Sequence, residues 1–398
     1  MYARARAGTV SAEHSIARSS NDYAARKSMR SSPVLRSQTT RASHCIAREA
    51  SSRWEYIGRL VTNSTDGSIP RGGNAGSNTE RGSLQGGFTH SSKAASMHLT
   101  RTQTHAHWDR SIPPAIHLAP GDSISVELEN ASGGQILVDS DESAIERLDF
   151  ARVNPVTGPI FVEGAQPGDA LVVEILDIEV DTWGWTANIP GFGLLADRFP
   201  AAALRTSRIG NGYIELFTGA RMAALPMIGT IGVAPAQLGE FSLIPPTRNG
   251  GNMDMRQVNA GATLYLPVAV PGALLSLGDG HAAQGDGEIC GTAIETRSVA
   301  TLRINLEKQR HHSTPMLLTD PRSQRTGRAF ATTGIGPDLM EAAREAAAAM
   351  VEEIVLRTGI SELDAYLLAS VAGDLKISEL VDQPNWVVSL HIDADLLR

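Results

Sequence analysis

Residues 278–288 read Gly-Asp-Gly-His-Ala-Ala-Gln-Gly-Asp-Gly-Glu, placing Asp279, His281, Asp286 and Glu288 among four glycines. Apolar runs at 264–277 and 289–294 flank the stretch, so it reads as a loop between strands. The glycines let the backbone turn sharply and let polar side chains converge where bulky neighbours would hold them apart. Asp279 and His281 are two residues apart and would face one way in extended backbone, and the same holds for Asp286 and Glu288. That is metal-ligand spacing.

Hydrolysis of an unactivated amide needs a nucleophilic water, stabilisation of the tetrahedral oxyanion and a proton for the departing nitrogen. A divalent metal supplies the first two by lowering the pKa of bound water towards about 7 and polarising the carbonyl. A carboxylate, for which Glu288 is favoured, would carry the proton. Mixed His and carboxylate ligation suits zinc, and carboxylate-rich sites also accept manganese or calcium. The same residues serve equally as a calcium-stapled turn or an acidic hairpin without catalysis, although the spacing is not that of an EF-hand. Upstream, Asn249-Gly250-Gly251-Asn252-Met253-Asp254 reads first as an Asx turn from which Asn252 or Asp254 could reach the same site. His105 and His107, beside Trp108, form an i, i+2 pair of the kind that binds zinc from a strand, but the repeated βα units of barrel amidohydrolases are missing. Cys290 reads as packing in a strand. A Cys-Glu-Lys amidase is disfavoured, because the body beyond residue 95 holds only Lys308 and Lys376. The match of residues 191–196 to a dinucleotide fingerprint lacks its βαβ setting.

The elements that must position these residues are mostly strands. Residues 123–128, 170–180 and 262–270 form short alternating or apolar runs bounded by Gly, Pro and Asp. Pro120-Gly121-Asp122 and Pro167-Gly168-Asp169 each lead into one, a repeated turn-into-strand device. Helices are expected only near the C-terminus, over 337–357 with Pro337 in the first turn and Gly359 as the stop, and again from Ser361 with Asp364 completing a capping pair. Residues 386–391 are strand-like. The expected fold is therefore mainly β, a sandwich or barrel-like body over 96–300 with an α+β part over 301–398 packed on it.

Residues 1–95 are rich in Ser, Arg, Ala and Gly without a hydrophobic period and read as disorder, a processed leader or a mistaken start. They carry 14 Lys or Arg against 6 Asp or Glu, so the net charge of −8 leaves the remaining residues at −16. An acidic body argues against nucleic-acid binding, and no apolar run reaches the roughly 20 residues that span a bilayer. With only Cys45 and Cys290, a disulfide framework is not supported, and a cytoplasmic location is expected.

From about Met97 to the C-terminus the sequence resembles the acetamidase/formamidase family. The resemblance is carried by Gly250-Gly251-Asn252-Met253-Asp254, by Leu264-Tyr265-Leu266-Pro267-Val268 and by the 278–288 stretch. Further support comes from His105 with Trp108, Gly133-Gly134-Gln135, Thr157-Gly158-Pro159 and Gly229-Thr230-Ile231-Gly232. It implies hydrolysis of short aliphatic amides, formamide- or acetamide-like, to carboxylate and ammonia by a homo-oligomer, a dimer or higher. Position by position it implies Glu288, Asp254 and Asn252 as catalytic residues, and Gln284 and Trp108 against the substrate. Asp279, His281, Asp286 and His105 would then hold the metal, with His107 losing support. The competing readings are a calcium-stapled β-sandwich that only binds, and the same fold hydrolysing a lactam or amidine.

Overall fold

Strands form where apolar residues alternate or run continuously, and their burial follows that pattern. Ser123–Leu128 alternates half-buried and buried positions, whereas Leu275–His281 is buried throughout because both of its faces are covered. The computed structural model describes residues 97–320 and 327–398, and the expected tail over 1–95 lies outside them.

The protein is mainly β with an α+β C-terminal part. A nine-stranded sheet runs in the order Met97–Leu99, Ser123–Leu128, Ser298–Glu307, Ala170–Val180, Thr263–Pro267, Met316–Leu318, Ala329–Gly336, Trp386–Asp393, Asp374–Glu379. Its strand Ser298–Glu307 crosses residue 300, and the sheet continues through it. A six-stranded sheet holds Gly250–Asn252, Met227–Val233, Leu275–His281, Val156–Val162 and Thr104–His105 in that order, with Ile116–Leu118 pairing Val156–Val162 in parallel. A third, four-stranded sheet runs from Arg221–Ala223 to Trp183–Asn188. The main core lies where the first two sheets meet, with Ile228, Ile231 and Leu277 against Leu171, Leu264 and Leu302. It is the layered solution expected of sheets with one apolar face.

Both turn-into-strand devices form with the same geometry. Asp122 Oδ2 accepts from Ala119 N at 2.8 Å and Asp169 Oδ2 from Gln166 N at 2.9 Å, with Gly121 and Gly168 at φ 96° and 93°. The long helix spans Leu339–Thr358, capped by Asp338, whose Oδ1 accepts from Met340 N and Glu341 N. Pro337 therefore precedes the cap instead of occupying the first turn. Gly359 ends the helix at φ 74° as expected, and Ser361 caps the second helix, Glu362–Ala372. A short helix at Ser143–Glu146 departs from the expectation that helices stay near the C-terminus. Ala342, Ala346, Met350 and Ile354 pack on Phe330, Val388 and Leu390. The helix backbone comes so close to the sheet that a Cβ at Gly334 would sit 1.9 Å from Ala342 O.

Candidate active site

Strand Leu275–His281 explains why glycine alternates with Asp and His. A Cβ at Gly278 would meet Pro155 O at 2.3 Å, and one at Gly280 would meet Ser298 Oγ at 2.4 Å, so that face lies directly against neighbouring chain. Asp279 and His281 point to the opposite face, as i, i+2 residues of a strand must. The segment is thus a central strand up to His281, and the loop begins only beyond that residue. The neighbouring strand Met227–Val233 places Gly229 against this face. A Cβ there would fall 2.5 Å from Asp279 Oδ2, 2.7 Å from Asp254 Oδ1 and 2.8 Å from His281 Cε1. The missing side chain is the space into which the three groups converge.

His281 is the hub. Its Nε2 lies 3.1 Å from Asp279 Oδ1 and 3.2 Å from Glu295 Oε2, and its Nδ1 lies 3.8 Å from Asp254 Oδ1. Gln284 Nε2 donates to the Asp254 carbonyl at 2.5 Å, which turns Gln284 Oε1 towards His281 Nδ1 at 2.9 Å. Nδ1 therefore carries a proton, and Nε2, which faces two carboxylates, either carries the second proton of the charged ring or presents the lone pair of the neutral one. Nε2, Asp279 Oδ1, Glu295 Oε2 and both Asp254 carboxylate oxygens are buried without hydrogen-bond partners. Acceptors facing acceptors in a buried space call for a cation between them, a proton or a metal ion. Two ligand groups meet at this ring, Asp279–His281–Glu295 and Asp254–His281–Glu288, each with ligand atoms within 4.8 Å of one another. The residues fit a divalent metal.

Electrostatics follow from burial. It raises Asp254, Glu288 and Asp382 well above the usual carboxylate range, reinforced by the Asp279 charge at Asp254 and by the Asp254 charge at the other two. Burial is the largest single influence on Asp279 and would raise it too, but the His281 charge together with hydrogen bonds to His281, Glu295 and Thr230 outweighs it and holds Asp279 low. His281 is raised well above an ordinary imidazole because Glu295 and Asp279 outweigh its own desolvation. Asp254, Asp279 and Glu288 take left-handed backbone, at φ 43°, 57° and 41°. Such strain in non-glycine residues persists where surrounding structure enforces it, and it gathers at functional sites.

Asn252, on Gly250–Asn252, links the site to the C-terminal part. Its Oδ1 accepts from Thr230 Oγ1 and, at 3.1 Å, from Asn154 Nδ2, while its Nδ2 donates to Asp382 Oδ2 at 2.6 Å. Glu379 accepts from the backbone N–H of Asp382 at 2.6 Å and is pushed up to about 7 by burial. Asn252, Asp254, Asp279, Glu288, Glu295 and Asp382 together line a cavity of about 330 Å³.

Five of the expected residues, Asn252, Asp254, Asp279, His281 and Glu288, thus come together. Asp286 does not. It is exposed and accepts from Gln257 Nε2 at 3.1 Å, because Gly287 and Glu288 both leave extended backbone and the assumed same-side alternation fails. His105 is also elsewhere, with Nε2 2.9 Å from Ser276 Oγ and Nδ1 2.8 Å from the His107 carbonyl. Gln284 orients His281 and is not on the cavity wall, and Trp108 is buried in a separate cluster with Val156 and Leu243. Cys290 is exposed, contrary to its reading as packing, because residues 289–294 form turns and not a strand. Three buried acids escaped sequence reasoning. Glu295 closes the 289–294 run, and Glu379 and Asp382 lie far along the chain. Their signal was only an acid set within apolar sequence.

Residues 91–242 and 239–398 match a family model described as the Acetamidase/Formamidase family. A formamidase of Methylophilus methylotrophus is 30% identical over 263 residues, which cover 52% of this chain and 64% of that protein. The crystal structure of an acetamidase from Bacillus halodurans is 36% identical with a TM-score of 0.70, covering 74% of this chain and 97% of its own. A gamma lactamase from Delftia acidovorans is 26% identical with a TM-score of 0.54, over 74% and 89% of the two chains.

Proposed function

The chain belongs to the acetamidase/formamidase family and is an amidohydrolase of linear amides, and on that premise we propose that it splits small amides into carboxylate and ammonia at the buried His281 centre. The observation that carries this reading is the unpartnered Nε2 of the buried His281 facing Asp279 and Glu295, two carboxylates that line the same cavity as Glu288.

A divalent metal, zinc in our assignment, would be held by Asp279, His281 and Glu295 with Asp254, and when bound it supplies Lewis acidity and lowers the pKa of water. Gln284 keeps the His281 lone pair on Nε2, the nitrogen facing Asp279 and Glu295. Glu288 takes the proton of the attacking water and passes it to the nitrogen, so that the C–O bond forms, the C–N bond breaks and ammonia leaves neutral. Asn252, held by Asn154 and Asp382, fixes Asp382 at the edge of the floor. Burial keeps water out and strengthens each of these interactions. The reading carries with it a cytoplasmic homo-oligomer, which gel filtration of the native protein tests. No helix among the described residues is long and apolar enough to cross a membrane.

The test is ammonia release from formamide, acetamide and propionamide. Glu288→Gln is expected to lower kcat by about 10²–10⁴-fold with metal content unchanged. Protein stripped by chelator should be inactive and recover with zinc; full activity after verified stripping removes the metal from the reaction. A cyclic amide is the second substrate form, favoured by the likeness to a gamma lactamase, and γ-butyrolactam belongs in the panel.

A further inference from the structure

The cavity changes character from floor to rim, and we propose that it selects primary amides whose acyl group is an extended apolar chain or an arylalkyl group over formamide and acetamide. This rests on the amidase reading above and names the substrate class of the same site.

The floor is acidic and buried. The rim is apolar, with Leu148, Phe150, Ile189, Phe192 and Ile244, and the Phe150 side chain is 63% exposed. Phe192 is held at this rim by glycines. Gly191 and Gly193 flank it at φ 82° and 95°, and a Cβ at Gly291 would lie 2.3 Å from Phe192 Cδ1, so the ring rests where only glycine leaves room. Past Phe192 and Ile244 the surface continues into a second cavity of about 520 Å³, which shares Gly191, Phe192 and Ile244 with the first and adds Leu339, Leu380 and Trp386.

A carboxamide head belongs on the floor, where the hydrogen-bonding and metal-ligating groups are. Formamide and acetamide would leave the rim and the second cavity against water. An apolar acyl group extending from the floor would desolvate those walls, and each sequestered methylene adds binding that the transition state retains. No lysine or arginine among the described residues lines either cavity, so an acyl group ending in a carboxylate finds no counter-charge.

The experiment is kcat/KM from ammonia release by the full chain on acetamide, hexanamide, phenylacetamide and succinamate. Hexanamide and phenylacetamide are expected to exceed acetamide by about tenfold or more, and succinamate to fall below it. Acetamide matching or exceeding both larger amides overturns the proposal while the amidase reading stands. Release from none of them overturns both. Ile244→Trp, which narrows the passage between the cavities, should lower hexanamide and phenylacetamide about tenfold and leave acetamide within about twofold. Phe192→Ala provides the same comparison should the tryptophan not be accommodated. Equal losses on all amides in either folded variant would show that the acyl group does not lie along this rim.

Discussion

Asp254 combines every cost a residue can carry: left-handed backbone, full burial and carboxylate neighbours on several sides. Strain of this kind costs on the order of 1–3 kcal/mol, and burying a carboxyl group whose oxygens have no hydrogen-bond partner adds to it. Under the proposed function its presence is a concession to the site, and on that reading relieving it should stabilise the empty protein. In chelator, Asp254→Asn is expected to raise Tm by about 2 °C or more while lowering ammonia release at least about 100-fold. A Tm below that of the parent would mean that the carboxylate contributes to the fold itself. Gly229 is the complementary case, a position that works by having no side chain. Gly229→Ala should fold, since the clash is with the ends of the Asp279, Asp254 and His281 side chains and not with backbone, yet lose most bound metal. Metal analysis of the purified variant at parental stoichiometry would show that the space is not the ion's.

Strands decide which site residues could be anticipated. Asp279 and His281 were legible because two-residue spacing fixes a common face in extended backbone, whereas the glycines beside them, read as turn formers of a loop, are instead the tightly packed opposite face of a strand. Asp254 read first as part of an Asx turn after the double glycine, and only the family resemblance assigned it to the site. Asp286 misled because the alternation was carried across Gly287, where the backbone turns. Glu295 enters through isolated bridges to His281 and Trp185 and lies outside any named strand, so no periodicity marks it. Glu379 and Asp382 depend on where the last hairpin docks, which no local pattern encodes. That hairpin also carries a pH response of its own. His391, on Trp386–Asp393, is buried with Nε2 2.7 Å from Ser389 Oγ, and burial, with the Lys376 charge adding to it, pushes its pKa down to about 3. The folded value lies below the unfolded value of about 6.5, so the unfolded chain binds the extra proton between them. The stability contribution is complete above about pH 6.5 and is lost towards pH 3, at up to about 1.4 kcal/mol per pH unit. Urea midpoints from pH 6.5 to 4 should therefore fall less steeply for His391→Asn than for the parent. Parallel slopes would rule the imidazole out as the cause.

At the scale of the molecule, the site is a junction. Leu275–His281 and Gly250–Asn252 come from the six-stranded sheet, while Glu379 ends the last edge strand of the nine-stranded one. The loop carrying Glu288 is tied across by Gly287 N donating to Ser378 O at 2.8 Å, and Asn252 reaches Asp382. An ion bound here stabilises only the assembled arrangement, and the two parts should melt together. Scanning calorimetry is expected to show one transition that moves down on chelation. A second, chelator-insensitive transition would mean that the C-terminal hairpin and helices unfold as a separate unit. The same loop exposes Cys290, two residues beyond Glu288, with its carbonyl 2.7 Å from where a Gly193 Cβ would be. With Cys45 replaced by serine, Cys290 is the single thiol of the chain, a natural attachment point for a nitroxide. Its spectral line shape would then record, amide by amide, whether the mouth of the cavity stiffens as an acyl group enters.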